Sequence, residues 1–321
     1  MQEIHISNNE ANQRLDKLLH KLLPEAGTSF LYKMLRKKNI TLNSKKCDGS
    51  EKTAVGDEVT LWLSDETIAN FREAKKINRV PWHFKVVFED EHILAVNKPS
   101  GSLSQKAKPE DVSVNEEAIS YLLENHSIDE KSLESFKPSV CHRLDRNTSG
   151  LLIVGKSLHG LQKMSEVLKE RTAEKYYLCL AEGVITKPQH IFGYLTKDEK
   201  TNQVFVSKEP TESGQAIETR YEPLGNNGYQ TLLKVELITG RTHQIRAHLA
   251  SVGHSIVGDG KYGSEKVNDW FRKHYRLKHQ LLHSWRMEFE DYKLTAPIWP
   301  EFEKILKGEH LWSTYEDLQK N

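Results

Sequence analysis

Between residues 84 and 290 the chain reads as one strand after another, with few helices between them. FKVVF (84–88), HILAVN (92–97), LLIVG (151–155), KYYLCLAEG (175–183), AIETRYEPL (216–224), YQTLLKVELIT (229–239) and LLHSWRMEFE (281–290) are short apolar or alternating runs. Helix-like runs at 114–125, 158–169, 267–279 and 300–307 are too few and too irregularly placed to serve as regular crossovers between parallel strands. Strands that follow each other without such crossovers pair antiparallel. The expected fold is therefore α+β, a mixed and mostly antiparallel sheet with a few helices packed on it.

The first seventy residues follow a different pattern. Leu15, Leu18, Leu19, Leu22 and Leu23 recur at helical spacing, with Asn8 or Asn9 as the expected cap. Ser29 is the expected cap of a second helix ending near Asn39, with Phe30, Leu31, Met34 and Leu35 on one side and Lys33, Arg36 and Lys37 on the other. Two short strands are expected at 40–43 and 58–63, the second after a turn at Gly56 and Asp57. Residues 64–84 are polar, lack a period and contain Pro81, which reads as a linker. The expected division is a small helix–strand domain over 1–68, a linker over 69–85 and a larger domain over 86–321.

Composition narrows the function classes. Hydrophobic residues make up 37% of the 321, enough for a core. The sequence has no run of about eighteen apolar residues of the kind a transmembrane helix needs. The N-terminus lacks the apolar stretch of a secretory signal. Three scattered cysteines, Cys47, Cys141 and Cys179, form no CxxC pair and do not suggest a disulfide framework. These features predict a cytoplasmic protein with no membrane partner. Net charge is only +1, yet residues 29–46 hold six Lys or Arg and no acid. Such a patch suits nucleic acid and equally a solvated helix face.

Three segments concentrate reactive side chains. In CHRLDRNTSG (141–150), Asp145 lies between Arg143 and Arg146 just before an apolar strand. Flanking arginines favour an ionised carboxylate, fit to be a nucleophile or a structural anchor. In TGRTHQIRAH (239–248), Arg241 and Arg246 suit carboxylate or phosphate partners. His243 and His248 are five apart, not the four of a helical metal pair, and lack an acidic third ligand nearby. NKPSG (97–101) reads as a strand-to-loop turn carrying Lys98 and lacks the glycines and the Lys-Ser/Thr of a phosphate-binding loop.

Together these segments resemble the motifs of the RluA family of RNA pseudouridine synthases. HRLDRNTSG matches the family's catalytic motif; NKPSG, GRTHQIRAH and GDGKYG (258–263) match others in the family's order. The resemblance covers roughly 86–300, and residues 13–65 resemble the small RNA-binding domain named after ribosomal protein S-four. The basic helix and the lack of insertions are most similar to the ribosomal-RNA branch that includes RluC and RluD. The resemblance implies an isomerase of uridines, acting on RNA and needing no metal, redox cofactor or nucleotide; a monomer is the expectation for its assembly. It implies Asp145 as the catalytic carboxylate, its covalent partner (base or sugar) left open. It also implies Tyr177 as the residue stacked on the base, with Tyr176 as the alternative, and Arg246 as the basic partner of Asp145. Arg143 is implied as the arginine entering the space left by a flipped nucleotide. Lys33, Arg36 and Lys37 would grip RNA phosphates. The chain departs from the family's usual alanines at Cys179 and Ser284. A non-catalytic RNA-binding or assembly protein, a synthase acting on transfer RNA and a metal-dependent hydrolase using some of the fifteen histidines are the competing readings.

Overall fold

A computed structural model describes residues 1–72, 78–198, 200–201 and 203–320. The front of the chain forms β1 (Gln2–His5), α1 (Leu15–Leu22), α2 (Thr28–Arg36), β2 (Ile40–Leu42), β3 (Lys45–Lys46), β4 (Glu58–Leu61) and α3 (Asp65–Phe71). Its four strands make a sheet of order β1-β4-β2-β3. Leu15, Leu18, Leu19 and Leu22 of α1 and Leu31, Met34 and Leu35 of α2 close over that sheet in a core of their own. Each such side chain contributes about 1.5–3 kcal/mol relative to exposure, enough to fix two helices too short to persist alone.

The helix starts differ from expectation. The first two N–H groups of α1 donate to backbone carbonyls, Leu15 to Glu51 and Asp16 to Gly49, so no side-chain cap is needed. Asn9 instead accepts from the backbone N–H of Leu158, at the start of a helix in the rear of the molecule. The second helix begins at Thr28 with Gly27 as its cap, two residues ahead of the expected Ser29, and ends at Arg36, three short of Asn39. The polar stretch after β4 is not all linker: Ser64 caps α3 by accepting from the Thr67 N–H, and Ile68 is buried. The signal was short, one capping serine and one buried isoleucine in seven polar-rich residues. Of the expected linker, 73–77 lie outside the described residues.

The rear of the chain runs β5 (Lys85–Glu89), β6 (Ile93–Lys98), α4 (Val114–Glu124), β7 (Ser139–Val140), β8 (Ser149–Gly155), α5 (Leu158–Glu170), β9 (Glu174–Glu182), β10 (Gln189–Asp198), β11 (Gln203–Ser207), β12 (Gln215–Asn226) and β13 (Gln230–Leu237). It continues with α6 (Gln244–Ser251), α7 (Glu265–Tyr275), β14 (Leu282–Phe289), β15 (Tyr292–Thr295), α8 (Pro300–Gly308) and α9 (Trp312–Lys320). The main sheet has the order β11-β10-β12-β13-β9-β14-β8-β6-β5, with β15 on β14 and β7 on β8. The pairs are antiparallel except β14 with β8. The α+β, mostly antiparallel expectation holds. The hairpin of β10 and β11, absent from the expected strands, carries a polar, glycine-interrupted sequence whose alternation is weak. The helix expected over 267–279 starts and ends earlier, stopped by Arg276 in the left-handed region.

The parallel pair joins β14 to β8 through only two residue pairs, His283 with Ser149 and Ser284 with Gly150. Gly150 has φ of +108°, and a Cβ there would lie 2.1 Å from the Ser284 carbonyl oxygen. Only glycine permits this approach. His283, fully buried, accepts at Nδ1 from the Ser149 hydroxyl (2.9 Å) and donates from Nε2 to the Ala296 carbonyl (3.0 Å). The end of the 141–150 segment is thereby fastened to β14.

Candidate active site

The loop carrying Asp145 is held from beneath by polar groups. Lys98 at the end of β6 is fully buried, and its ammonium donates to the carbonyls of Pro99 (3.0 Å), Ser102 (2.8 Å) and Arg146 (3.0 Å). Burial pushes its pKa down to about 7, against the opposing pull of Asp145 and Glu117. Ser104 donates to the Leu144 carbonyl and accepts from the Leu144 N–H, and the Gly101 N–H donates to Arg146. The NKPSG turn on one side and Ser104 on the other therefore clamp the residues flanking Asp145. The Thr148 N–H donates to the Asp145 carbonyl and closes the turn. Asp145 itself remains a quarter exposed.

Its partner comes from α6. Arg246 Nη1 donates to Asp145 Oδ2 at 2.8 Å. The flanking Arg143 and Arg146 are exposed, and among the described residues no ion pair joins either to Asp145. The sequence expectation that the flanking arginines hold Asp145 is corrected here: both lie exposed, and the contact is made instead across 101 residues. Arg246 also donates from Nε to Asp259 Oδ2 (2.6 Å) and from Nη2 to Asp259 Oδ1 (2.9 Å). Burial works against the guanidinium charge, but the two carboxylates outweigh it and raise the Arg246 pKa. Burial likewise opposes ionisation of Asp259, and Arg246 outweighs it to lower that pKa.

The start of α6 explains the rest of the 239–248 segment. Gln244 is buried with both amide atoms used: it accepts from Thr239 Oγ1 and the Arg241 N–H and donates to the Glu218 carbonyl and Thr219. His248 bonds Thr219 Oγ1 at 3.0 Å. Gln244 and His248 are buried with these polar partners, while Arg241 and Thr242 remain exposed. His243 turns the other way. Its backbone is left-handed (φ 54°, ψ 16°), its Nδ1 lies 2.9 Å from the Tyr262 hydroxyl and its Nε2 3.9 Å from Asp145 Oδ2. The two histidines thus face different partners. Among the described residues no group of three or more His, Cys, Asp or Glu is placed to hold a metal ion.

Tyr177 on β9 is buried, and Tyr176 points to the opposite face, where it donates to Glu174. Burial pushes the Tyr177 phenol up to about 12; the Ser284 hydroxyl beside it pulls the other way and the Asp145 charge adds to the rise. The phenol is protonated at neutral pH. Ser284, one of the two departures from the family pattern, is thus a neighbour of this ring, and Cys179, the other, is fully buried two residues along the strand. Lys33, Arg36 and Lys37 are exposed on α2 and its C-terminal cap. Asp259, His243 and Tyr262 were not marked by the sequence as site residues. GDGKYG is marked in the sequence only as a segment resembling the family's, with no role for any one of its residues, and the fold brings its Asp259 to Arg246.

A family model described as RNA pseudouridylate synthase matches residues 92–251. A ribosomal large subunit pseudouridine synthase C of Pasteurella multocida is 33% identical, covering 94% of this chain and 91% of that protein. A ribosomal large subunit pseudouridine synthase D of Nitrosomonas europaea is 29% identical over 89% of this chain and 79% of that one. Human RNA pseudouridylate synthase domain containing 4 is alike in fold, with a TM-score of 0.57 at 17% identity, over 71% of this chain and 93% of that one.

Proposed function

Since the chain belongs to the RNA pseudouridine synthase family, in the branch of the large-subunit enzymes C and D, we propose that it converts uridines of large-subunit ribosomal RNA to pseudouridine with Asp145 as the attacking carboxylate. The observation that carries the assignment is the partly exposed Asp145 carboxylate fixed at 2.8 Å by a buried arginine. In the net reaction the bond from ribose C1′ to uracil N1 breaks, a bond from C1′ to C5 forms, and the C5 proton is exchanged for one on N1. Atoms and electrons balance without an oxidant. The reacting carbons are inaccessible in a stacked base, so the nucleotide must be flipped out. Arg143, exposed beside Asp145, fills the space it leaves. Tyr177, kept as the phenol, packs against the base, and Arg246 holds Asp145 ionised and aimed.

The first 68 residues serve as an RNA-binding domain like that of ribosomal protein S-four, with Lys33, Arg36 and Lys37 on phosphates. The protein acts as a cytoplasmic monomer. The test is tritium release from C5 of uridine-labelled total RNA taken from cells lacking the gene, fractionated afterwards into ribosomal and transfer RNA. Wild type should release tritium and Asp145→Asn should not, although it folds and binds RNA. Release by Asp145→Asn near the wild-type rate would remove Asp145 from the mechanism. Release confined to the transfer RNA fraction would reassign the substrate, and no release by wild type would favour a non-catalytic RNA-binding role.

A further inference from the structure

We propose that His243 is a further catalytic residue, whose Nε2–H donates a hydrogen bond to a uracil carbonyl oxygen as charge develops on the base. This rests on the reading of Asp145 as the attacking group. Three features of the structure point to it. The ring is buried, with its side chain only 9% exposed, yet Nε2 has no hydrogen-bond partner among the described residues and lies 3.9 Å from Asp145 Oδ2. Its orientation is imposed: a left-handed backbone at a non-glycine residue is strained, and here it aims the side chain from the cap of α6 at the attacking carboxylate. The far side of the ring is anchored by Tyr262, whose hydroxyl also accepts the Val204 N–H at 2.9 Å.

The tautomer is set by these contacts. Were the proton on Nδ1, the lone pair of Nε2 would face the Asp145 carboxylate. With the Tyr262 hydroxyl donating to Nδ1, the proton sits on Nε2 and the contact is favourable. The charged groups around the ring are Asp145 before β8, Arg246 on α6, and Asp259 and Lys261 in the loop with Tyr262. Burial lowers the ring's pKa; Asp145 and Asp259 oppose this, while Arg246 and Lys261 reinforce it. The ring is therefore a neutral donor. Attack at the base and departure of the base from the sugar both move electron density onto a uracil carbonyl oxygen. A fixed donor beside Asp145 would stabilise either.

The test uses the full chain and the same tritiated RNA, with kcat and KM measured separately. Glycine accepts the left-handed backbone without strain, which offsets the lost packing of the ring, so His243→Gly should keep the fold. Its kcat should fall about 10²-fold, as expected for loss of one such donor, with KM near wild type. His243→Gln, which retains an N–H, should recover part of the loss, and Tyr262→Phe, which frees the ring to turn, should lose a smaller factor of the same kind. A wild-type kcat in His243→Gly, a loss confined to KM, or a Gln variant no better than Gly would each overturn the proposal. Asp145→Asn separates the two levels of argument. If it is inactive while His243→Gly is normal, only the role of His243 fails. If it is active, the reading of the whole site fails.

Discussion

Arg246 meets Asp259 with two parallel hydrogen bonds, Nε to Oδ2 and Nη2 to Oδ1, and so reaches Asp145 with its one remaining nitrogen, Nη1. A guanidinium held in this way cannot rotate about its own axis. The buried pair therefore sets the direction from which the exposed carboxylate is gripped, and the chemistry at Asp145 depends on a residue that does not touch it.

Asp259→Asn should show that dependence. The variant leaves the guanidinium against an amide in a site closed to water, and breaking such a pair costs about 3–5 kcal/mol. Turnover should fall as well, because Arg246 gains freedom to leave Asp145. Arg246→Met should be at least as damaging to stability, since it strands the fully buried Asp259 charge. Arg246→Lys should rescue little, because an ammonium cannot bridge two carboxylates in the same fork. Chemical denaturation and single-turnover tritium release measure the two effects, and the double variant should lose less than the sum of the singles.

Acid should loosen the same region through His283. Burial pushes this ring's pKa down to about 4, with the Ala296 carbonyl pulling weakly upward. In the unfolded chain it titrates near the ordinary 6.5, so between these values the unfolded state binds the additional proton. Stability should therefore rise with pH across roughly 4 to 6.5 and be lost as pH falls, by up to about 1.4 kcal/mol per pH unit from this residue. His142, which burial likewise pushes down to about 4, adds to the slope across that window, and His283→Asn should flatten the pH dependence of measured denaturation midpoints by about one proton.

The basic face of α2 makes a prediction of a different kind. Changing Lys33, Arg36 and Lys37 together to Gln removes exposed charges without disturbing Leu31, Met34 or Leu35 in the core. If these groups hold phosphates, the slope of log affinity against log salt should flatten by up to about 2–3 units. KM should rise while kcat stays nearly constant, since such contacts are similar in the ground and transition states. An unchanged salt slope would leave the helix as a solvated face.

What was readable in the sequence divides along a physical line. The strand runs, the two leucine-rich helices and Asp145, Tyr177 and Arg246 were visible because local pattern or motif carries them. Asp259 lies in GDGKYG, a segment marked by resemblance, but it carried no role until the fold placed Arg246 opposite. His243 drew notice only as a poor metal ligand, because its left-handed backbone, which decides where the ring points, leaves no mark on spacing. Asn9 shows the limit most directly. It satisfies the N–H of Leu158, a helix start 149 residues later in the chain, rather than the helix next to it in sequence.

The contact between Gly150 and Ser284 carries a mechanical meaning. The main sheet is two blocks, β5, β6 and β8 on one side and β14 through β11 on the other, joined at a seam two residue pairs long. Asp145 is on a loop of the first block, whereas Tyr177 and Arg246 belong to the second. Shared apolar packing also crosses between the blocks, but the strand ladder itself is shortest beside the reacting groups, and a single methyl group at position 150 would act there as a wedge, pressing the end of the Asp145 segment away from β14.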